Sequence, residues 1–242
     1  MIISHKYKFI FIKTIKTAGT SIEVFLSPLC GEDDILTPVN PHVEPHVARH
    51  YKGYWNPIPQ MLVYRGWSRL AVLKRFVKRK KFFNHMPAKA IRATIPAGTW
   101  NNYFKFCVER NPWDKVMSGF HMEKDFPDGL KTMDAYLKKG RFPANYPIYT
   151  DNDDKLLVNE VVRYESLMEG LGRVFGRLGI PFNGTLGINA KSEHRKNRTP
   201  YQQAFTASQK DLVARVFAKE IAMHGYTFED SRPIPQAQPE VQ

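Results

Sequence analysis

The chain has 242 residues, 43% of them hydrophobic and 13% aromatic, which is typical of a folded protein with a sizeable core and excludes a fully disordered chain. Its two cysteines, Cys30 and Cys107, are too few for a disulfide framework. A formal net charge of +13 predicts an anionic partner, and nucleotides, acidic polysaccharides, anionic lipids and nucleic acids all satisfy that charge.

The sequence carries no membrane-spanning or secretory pattern. It contains no run of about 18 apolar residues. The polar, basic residues 1–7 lead directly into an apolar strand, where a signal peptide needs an apolar stretch and a cleavage site. We therefore expect a cytoplasmic protein with no transmembrane segment.

The first structural unit is a short strand followed by a helix. Residues 8–12 (KFIFI) are almost all apolar, as expected of a strand that is buried on both faces. After a loop with Gly19, apolar residues recur at helical spacing, and Pro28 ends the helix. The helical core positions are Ile22, Phe25, Leu26 and Leu29.

A second strand and helix lie at residues 104–120. The strand covers 104–108, Asn111 is a favourable N-cap, and Pro112 suits the first helical position. Asp114 lies in the first turn, where the helix dipole stabilises an anion. The predicted core-facing positions are Trp113, Val116, Met117 and Phe120.

Two further units complete the pattern. We expect a strand at 156–164 and then a helix whose capping box is formed by Ser166 and Glu169. A last helix is predicted at 208–224, capped by Ser208 and Asp211. A conformationally free residue, Gly225, ends that helix.

The alternation of strands and helices predicts an α/β fold. Strands that are each followed by a helix are typical of a parallel sheet flanked by helices on both faces. We expect one domain over residues 1–230 and a disordered, Pro/Gln-rich tail at 231–242. A basic amphipathic helix is predicted at 68–80, and its end overlaps a run of six basic residues in eight at 74–81.

The loop after the first strand has the composition of an anion site. Residues 13–21 read KTIKTAGTS and lie between a strand and a helix N-terminus, whose unpaired N–H groups attract anions. Lys16 adds a positive charge, Thr17, Thr20 and Ser21 add hydroxyl groups, and Gly19 permits close backbone approach. The loop departs from the GxxxxGK[ST] pattern of nucleotide triphosphatases. A plain turn with a Thr or Ser cap is the alternative.

A second anion-binding pair is predicted at the end of the second strand. Arg110 ends that strand, and Ser118 lies two helical turns above Asn111, away from the core-facing side of the helix. A guanidinium and a hydroxyl can then converge on one phosphate group. A structural arginine and a solvent-facing serine are the alternative.

Together, KTAGTS at 16–21 and RNPWDKVMS at 110–118 resemble the two cofactor motifs of sulfotransferases that use 3′-phosphoadenosine 5′-phosphosulfate (PAPS). The likeness is strongest to the carbohydrate-type branch, which includes heparan sulfate 2-O-sulfotransferase and bacterial relatives. VVRYESL at 161–167 and HGYTF at 224–228 extend the resemblance. Two positions depart from the family: Ile15 replaces a frequent proline, which loosens the loop, and Lys115 replaces a frequent arginine, which loses bidentate geometry.

The resemblance implies a P-loop-like fold, transfer of a sulfuryl group to an acceptor hydroxyl, and no metal. Lys16 is then catalytic, and the donor is held by Thr17, Ala18, Gly19, Thr20, Ser21, Arg110 and Ser118, with Lys191 and Arg195 as further contacts. His85 in NHMPAKAIRA at 84–93 resembles the family's histidine junction and is our first choice of general base. The other candidate bases are His42, His46 and His50. The branch implies a saccharide acceptor.

Two other functions fit part of the sequence. A nucleotide or small-molecule kinase has a similar fold and anion loop, but the sequence shows neither a Walker lysine nor a magnesium-binding carboxylate at a strand end. A basic module that binds polyanions without catalysis accounts for the charge. No helix-turn-helix, zinc or RNP pattern is present, so we expect no nucleic acid partner.

Overall fold

The computed structural model describes residues 1–64, 66, 68–125, 129–187 and 200–230. Its centre is one five-stranded sheet with the order β3-β1-β2-β4-β5. The strands are β1 (Ile2–Ser4), β2 (Phe9–Phe11), β3 (Ile35–Leu36), β4 (Phe104–Glu109) and β5 (Glu160–Arg163). Helices cover both faces of the sheet, which confirms the predicted α/β class.

The sheet is mixed, because its two halves pair in opposite senses. Strands β2, β4 and β5 are parallel, with Phe9 opposite Phe104 and Cys107 opposite Val161. Strands β1 and β3 are antiparallel to their neighbours. The sequence predicted the parallel half. It was wrong about the polar N-terminal residues, of which Ile2–Ser4 form a buried strand that is too short to show a period.

Eleven α-helices are formed by the described residues. The first six are α1 (Gly19–Leu26), α2 (Ile58–Val63), α3 (Ser68–Val77), α4 (Ala88–Arg92), α5 (Ala97–Asn102) and α6 (Pro112–Lys124). The remaining five are α7 (Met133–Lys138), α8 (Tyr146–Tyr149), α9 (Leu167–Leu178), α10 (Ala207–Val216) and α11 (Ala218–His224). Short 3₁₀ turns lie at Ser27–Leu29, Tyr164–Ser166 and Tyr201–Gln203.

Alternating side chains on the strands separate two apolar layers. On one face, Phe9, Phe11 and Phe106 pack against α1 and α9. On the other face, Ile10 and Cys107 pack against α4, α5 and α8. Both faces of β2 and β4 are therefore buried, and this accounts for their almost continuous apolar sequence.

The helix after β4 begins as the sequence predicted. The Asn111 side chain accepts a hydrogen bond from the Trp113 backbone N–H at 3.1 Å, and Pro112 occupies the first turn. The predicted apolar face is buried, but it packs with α7 and α10 in a third cluster rather than on the sheet. Periodicity identifies a buried face, and it does not identify what covers that face.

Two predicted helix caps are wrong. Ser166 precedes α9 but makes no capping hydrogen bond, and Glu169 pairs instead with Arg173 at 2.8 Å. The last helix is split at Phe217, and the capping box at its start belongs to Thr206 and Gln209 rather than Ser208. Gly225 ends α11 with φ 62°, as predicted.

The close packing of α9 on β5 predicts that alanine substitutions at two glycines of α9 have opposite effects on stability. A Cβ on Gly170 would lie 2.5 Å from Cγ1 of Val162, whereas a Cβ on Gly176 in the same helix has no neighbour within 4 Å. We expect Gly170→Ala to lower the free energy of unfolding by about 1–3 kcal/mol through overpacking. The matched Gly176→Ala should raise it by up to about 1 kcal/mol through helix propensity.

Chemical denaturation measures both changes, and Val162→Ala provides a second control. Val162→Ala removes the methyl groups that a Cβ at position 170 would strike. In the Val162→Ala protein, Gly170→Ala should therefore lower the free energy of unfolding by less than in the wild type. Equal effects of Gly170→Ala and Gly176→Ala would contradict the close packing of α9 on β5.

Candidate anion and active site

The loop between β2 and α1 has an unusual backbone for its sequence. Lys16 and Ala18 adopt φ values of 63° and 58°, the left-handed region that non-glycine residues rarely occupy. Such a conformation costs about 1–3 kcal/mol per residue and occurs most often at functional sites. Alternation of left-handed residues in a loop also turns successive N–H groups toward one concave side, which is a known geometry for binding anions.

The donors of this loop are not used elsewhere in the described part of the chain. There, the backbone N–H groups of residues 17–21 donate no hydrogen bond, and neither do the hydroxyls of Thr20 and Ser21. Thr17 is different, because its hydroxyl bonds that of Thr14 at 2.7 Å and thus supports the loop from inside. The free donors lie at the start of α1, where the helix dipole adds positive potential.

Gly19 is required by packing on Lys13. A Cβ at Gly19 would lie 2.7 Å from Cγ of Lys13, whose stem runs beneath the start of α1. The Lys13 ammonium is buried and pairs with the buried carboxylate of Glu23. The glycine therefore allows the helix to approach a buried ion pair, a reason that the loop sequence alone did not reveal.

Arg110 brings the second motif into contact with the first. Its Nη1 donates to the carbonyl oxygen of Lys16 at 3.0 Å, and its Nε pairs with Asp114 at 2.9 Å. The guanidinium also lies 4.4 Å from the ring centre of Tyr164. Arg110 is almost fully buried, and its Nη2 donates no hydrogen bond within the described chain. One amino group is thus left for a ligand.

One face of α6 lies along this loop. Asp114, Ser118 and Met122 are spaced by four residues and therefore share that face. Asp114 bonds Arg110, and the Met122 sulfur lies 3.5 Å from Nζ of Lys16. Ser118 lies between Asp114 and Met122 on the same face of α6.

His85 meets the same loop from the other side of the sheet. Its Nδ1 lies 3.1 Å from the carbonyl oxygen of Lys13. Because a carbonyl only accepts, Nδ1 carries the proton and Nε2 keeps the free lone pair that a base requires. Burial and the nearby Lys13 charge lower the pKa of His85 to about 4, so the ring is neutral at neutral pH.

A buried polar cluster behind the loop was not found in the sequence. Asn145 accepts from the Ile15 N–H at 2.7 Å and donates to the Ile15 carbonyl at 3.0 Å and to Glu109 at 3.1 Å. The second carboxylate oxygen of Glu109 accepts from Tyr149, whose hydroxyl also lies 2.9 Å from Nε2 of His224. The sequence did contain one sign of this buried cluster, because Glu109 is a charged residue at the end of an apolar strand.

This cluster changes the interpretation of the two departures from the family pattern. Ile15 does not leave the loop loose, because its N–H, which a proline lacks, is bound by Asn145. Lys115 is fully buried and pairs with Glu109 at 2.8 Å, with Glu220 4.0 Å away. Lys115 therefore takes part in the buried cluster that positions the site.

The other three histidines that the sequence offered as bases lie between β3 and α2 and bind backbone carbonyls. The Nε2 atoms of His42, His46 and His50 lie within 3.0 Å of the backbone carbonyls of His46, Thr37 and Glu32. None of the three makes a described hydrogen bond to the loop at 13–21. Lys191 and Arg195, predicted to contact the donor, lie outside the described residues.

The described residues contain neither a metal site nor a membrane-spanning helix. No group of three or more His, Cys, Asp or Glu side chains in them is arranged to hold a metal ion. Both oxygens of Glu109, the carboxylate at the end of β4, are occupied by protein donors. None of the described helices is both long and apolar enough to cross a membrane.

Comparisons with known proteins identify a related protein of uncharacterized function and a distantly similar crystal structure. No protein-family model matches the chain. An uncharacterized protein of Archaeoglobus fulgidus is 31% identical over 113 residues, which cover 45% of this chain and 94% of that protein, so the chain belongs to the same family. The crystal structure of mouse sulfotransferase SULT7A1 complexed with PAP is similar at 16% identity and a TM-score of 0.49, over 92% of this chain and 86% of that one. At this identity and score the likeness carries no argument about function.

The Asn145 contacts predict a local change in loop stability. Asn145→Ala leaves the Ile15 N–H and the Glu109 carboxylate each without one partner, a loss of about 1–3 kcal/mol. We expect faster amide hydrogen exchange at Ile15 and across residues 14–18. Asn159→Ala is the control, since Asn159 bonds the Lys105 N–H at the other end of β4. Loop exchange as slow as in the wild type would contradict the role given to Asn145.

The environment of His85 predicts a specific pH dependence. The folded-state pKa of about 4 lies below the ordinary value of 6.5, so the unfolded chain binds a proton first as the pH falls. Stability should therefore decrease from pH 6.5 toward pH 4, and His85→Gln should weaken that decrease. Nitrogen NMR of the imidazole measures the pKa directly. A His85 pKa at or above 6.5 would contradict the buried contact with Lys13.

Proposed function

We propose that the chain is a sulfotransferase that moves a sulfuryl group from PAPS to an acceptor hydroxyl. The observation that carries this proposal is the contact between the two motifs, in which Arg110 donates to the Lys16 carbonyl of the strained anion loop. Within the described residues, the N–H groups of 17–21 and Nη2 of Arg110 donate no hydrogen bond, and both sets of donors would attract anionic groups of a ligand. Such a pair of sites suits a donor with two separate phosphate-bearing positions.

The donor set fits PAPS in its chemistry. Oxygens of the 5′-phosphosulfate would accept from the N–H groups of residues 17–21, from the hydroxyls of Thr20 and Ser21, and from Lys16. The 3′-phosphate would accept from Arg110 and Ser118. Ala18 contributes only its N–H group, in the left-handed conformation that directs the loop.

The proposed reaction is an in-line displacement at sulfur. Nε2 of His85 would remove the proton of the acceptor hydroxyl as its oxygen bonds to sulfur. The bond between sulfur and the 5′-phosphate oxygen breaks, and that oxygen retains the electron pair. Lys16 and the loop N–H groups would stabilise the charge that develops there.

Donor binding would also adjust the base. A neutral imidazole with a pKa of about 4 is a weak base, and the Lys13 charge contributes to that low value. Anionic groups bound in the loop oppose the effect of Lys13, so they raise the His85 pKa toward neutrality. The base would therefore become effective when the donor is present.

The acceptor class follows from the motif resemblance alone. KTAGTS and RNPWDKVMS are most similar to the carbohydrate-type branch, which favours a saccharide hydroxyl. The kinase and the noncatalytic polyanion-binding module are the competing outcomes of the experiment below.

Thermal unfolding with adenosine 3′,5′-bisphosphate tests the donor site. At a ligand concentration about 100 times the Kd, binding stabilises the folded state by about 2.7 kcal/mol. For a chain of this size the midpoint should rise by several degrees. ATP with magnesium is the comparison ligand, and a rise with ATP alone would favour the kinase instead.

Matched lysine variants separate specific binding from general charge. Lys16→Ala should abolish most of the rise, whereas Lys6→Ala, at the opposite end of β2, should preserve it. Arg110→Ala should also lose the rise, judged against its own unliganded midpoint because it breaks a buried ion pair. Transfer from labelled PAPS to saccharide acceptors then measures activity. Lys16→Ala should lower its rate by about 10²–10³-fold.

A further inference from the structure

The net positive charge of this chain arises from one stretch of sequence. Residues 45–108 contain thirteen Lys and Arg and no Asp or Glu, although the whole chain has 36 basic and 23 acidic residues. The rest of the chain therefore has 23 residues of each sign and no formal net charge. All of the +13 charge belongs to the segment that contains α2 and α3.

The same segment exposes large apolar side chains. Of the ten described large hydrophobic residues with high exposure, six lie between residues 54 and 77. The six are Tyr54, Ile58, Leu62, Leu70, Leu73 and Val77. Val77 is 81% exposed and Leu62 is 73% exposed. We call α2, α3 and these side chains the α2–α3 surface.

Helix α3 arranges its exposed residues as an amphipathic stripe. Leu70, Leu73 and Val77 recur at i, i+3 and i+7, opposite Val72, which is fully buried. Lys74 and Lys78 flank this stripe and, in the described part of the chain, make no salt bridge. An apolar stripe beside lysines is the pattern of a helix that lies in a membrane interface.

The exposure is not caused by loose attachment of α3. The Arg75 guanidinium lies 4.4 Å from the ring centre of Phe83, and Phe76 packs edge-on against Trp55 at 5.5 Å. Helix α3 is therefore fixed through its inner face, while its outer face presents leucine and valine to solvent. Exposed apolar patches of this kind mark interaction surfaces in monomeric proteins.

We propose that the α2–α3 surface docks on an anionic lipid bilayer. Phosphate-bearing headgroups complement the lysines and arginines, which a negatively charged membrane surface attracts. The leucine and valine side chains would enter the boundary between headgroups and acyl chains. Acidic polysaccharides and nucleic acids satisfy only the charges, so they leave the exposed apolar stripe without a role.

The α2–α3 surface is connected to the segment that carries His85 and α4. Gln60 of α2 bonds Thr94, which follows α4, at 2.5 Å. The chain also passes from Val77, at the end of α3, to His85 and then directly into α4. Docking would bring the His85 side of the site toward the bilayer. Docking of this kind requires only the exposed apolar side chains and the positive charge, and it is independent of sulfuryl transfer.

Vesicle cosedimentation of the full chain tests this inference. We expect binding to vesicles of equal parts phosphatidylglycerol and phosphatidylcholine and little binding to pure phosphatidylcholine. The triple variant Leu70→Ser, Leu73→Ser, Val77→Ser should lower the partition coefficient at least about tenfold, because it removes the apolar groups that insert. Its retention on heparin should not change. A Met168→Ser, Val216→Ser double variant is the control for loss of exposed apolar residues elsewhere.

Charge variants separate lipid docking from polyanion binding. Lys74→Gln with Lys78→Gln should weaken both vesicle binding and heparin retention. Unchanged vesicle binding by the triple variant, or retention on heparin without any vesicle binding, would overturn the proposal. Val77→Ser alone serves if the triple variant misfolds, because an 81% exposed side chain contributes little packing. All of these surface variants should bind adenosine 3′,5′-bisphosphate as the wild type does. A failure of the lipid test can therefore be distinguished from a failure of the donor-site test.

Discussion

The buried carboxylate of Glu109 is the constraint on which the site depends. A buried charge is stable only when donors surround it, and four approach this one. They come from the Arg110 N–H, Lys115 on α6, Asn145, and Tyr149 on α8. Satisfying one carboxylate therefore fixes α6 and the 145–149 segment against the end of β4. Asn145 extends this constraint to Ile15, one residue before the catalytic lysine proposed here.

The site itself is held mainly through backbone carbonyls of the anion loop. His85 binds the carbonyl of Lys13, and Arg110 binds that of Lys16. Side chains from two separate segments thus depend on the path of the four residues 13–16. The left-handed conformations of Lys16 and Ala18 persist because these surrounding contacts determine the loop. The geometry of this loop and the positions of His85 and Arg110 are consequently linked in this fold.

The charges of the molecule divide into two groups with different physical consequences. At the site and behind it, Lys13, Arg110 and Lys115 each pair with a buried carboxylate, so these ion pairs add little net charge to the protein. The excess charge lies instead in residues 45–108, where no acidic residue is present. The proposed donor site and the proposed lipid surface therefore use distinct sets of residues, and each is testable without the other.

Local patterns in the sequence determined the strand–loop–helix units at 8–29 and 104–124, the Asn111 cap and the end of α11, because periodicity and capping act between near neighbours. Sequence reasoning also selected the loop, Arg110 and His85 as site candidates. The tertiary structure alone decided the antiparallel strands, the cover of α6 and the buried cluster. Its bonds join residues far apart in the chain, such as Asn145 and Ile15, 130 positions apart. No local pattern encodes such a pair, since the two residues meet only after the sheet and α8 have packed.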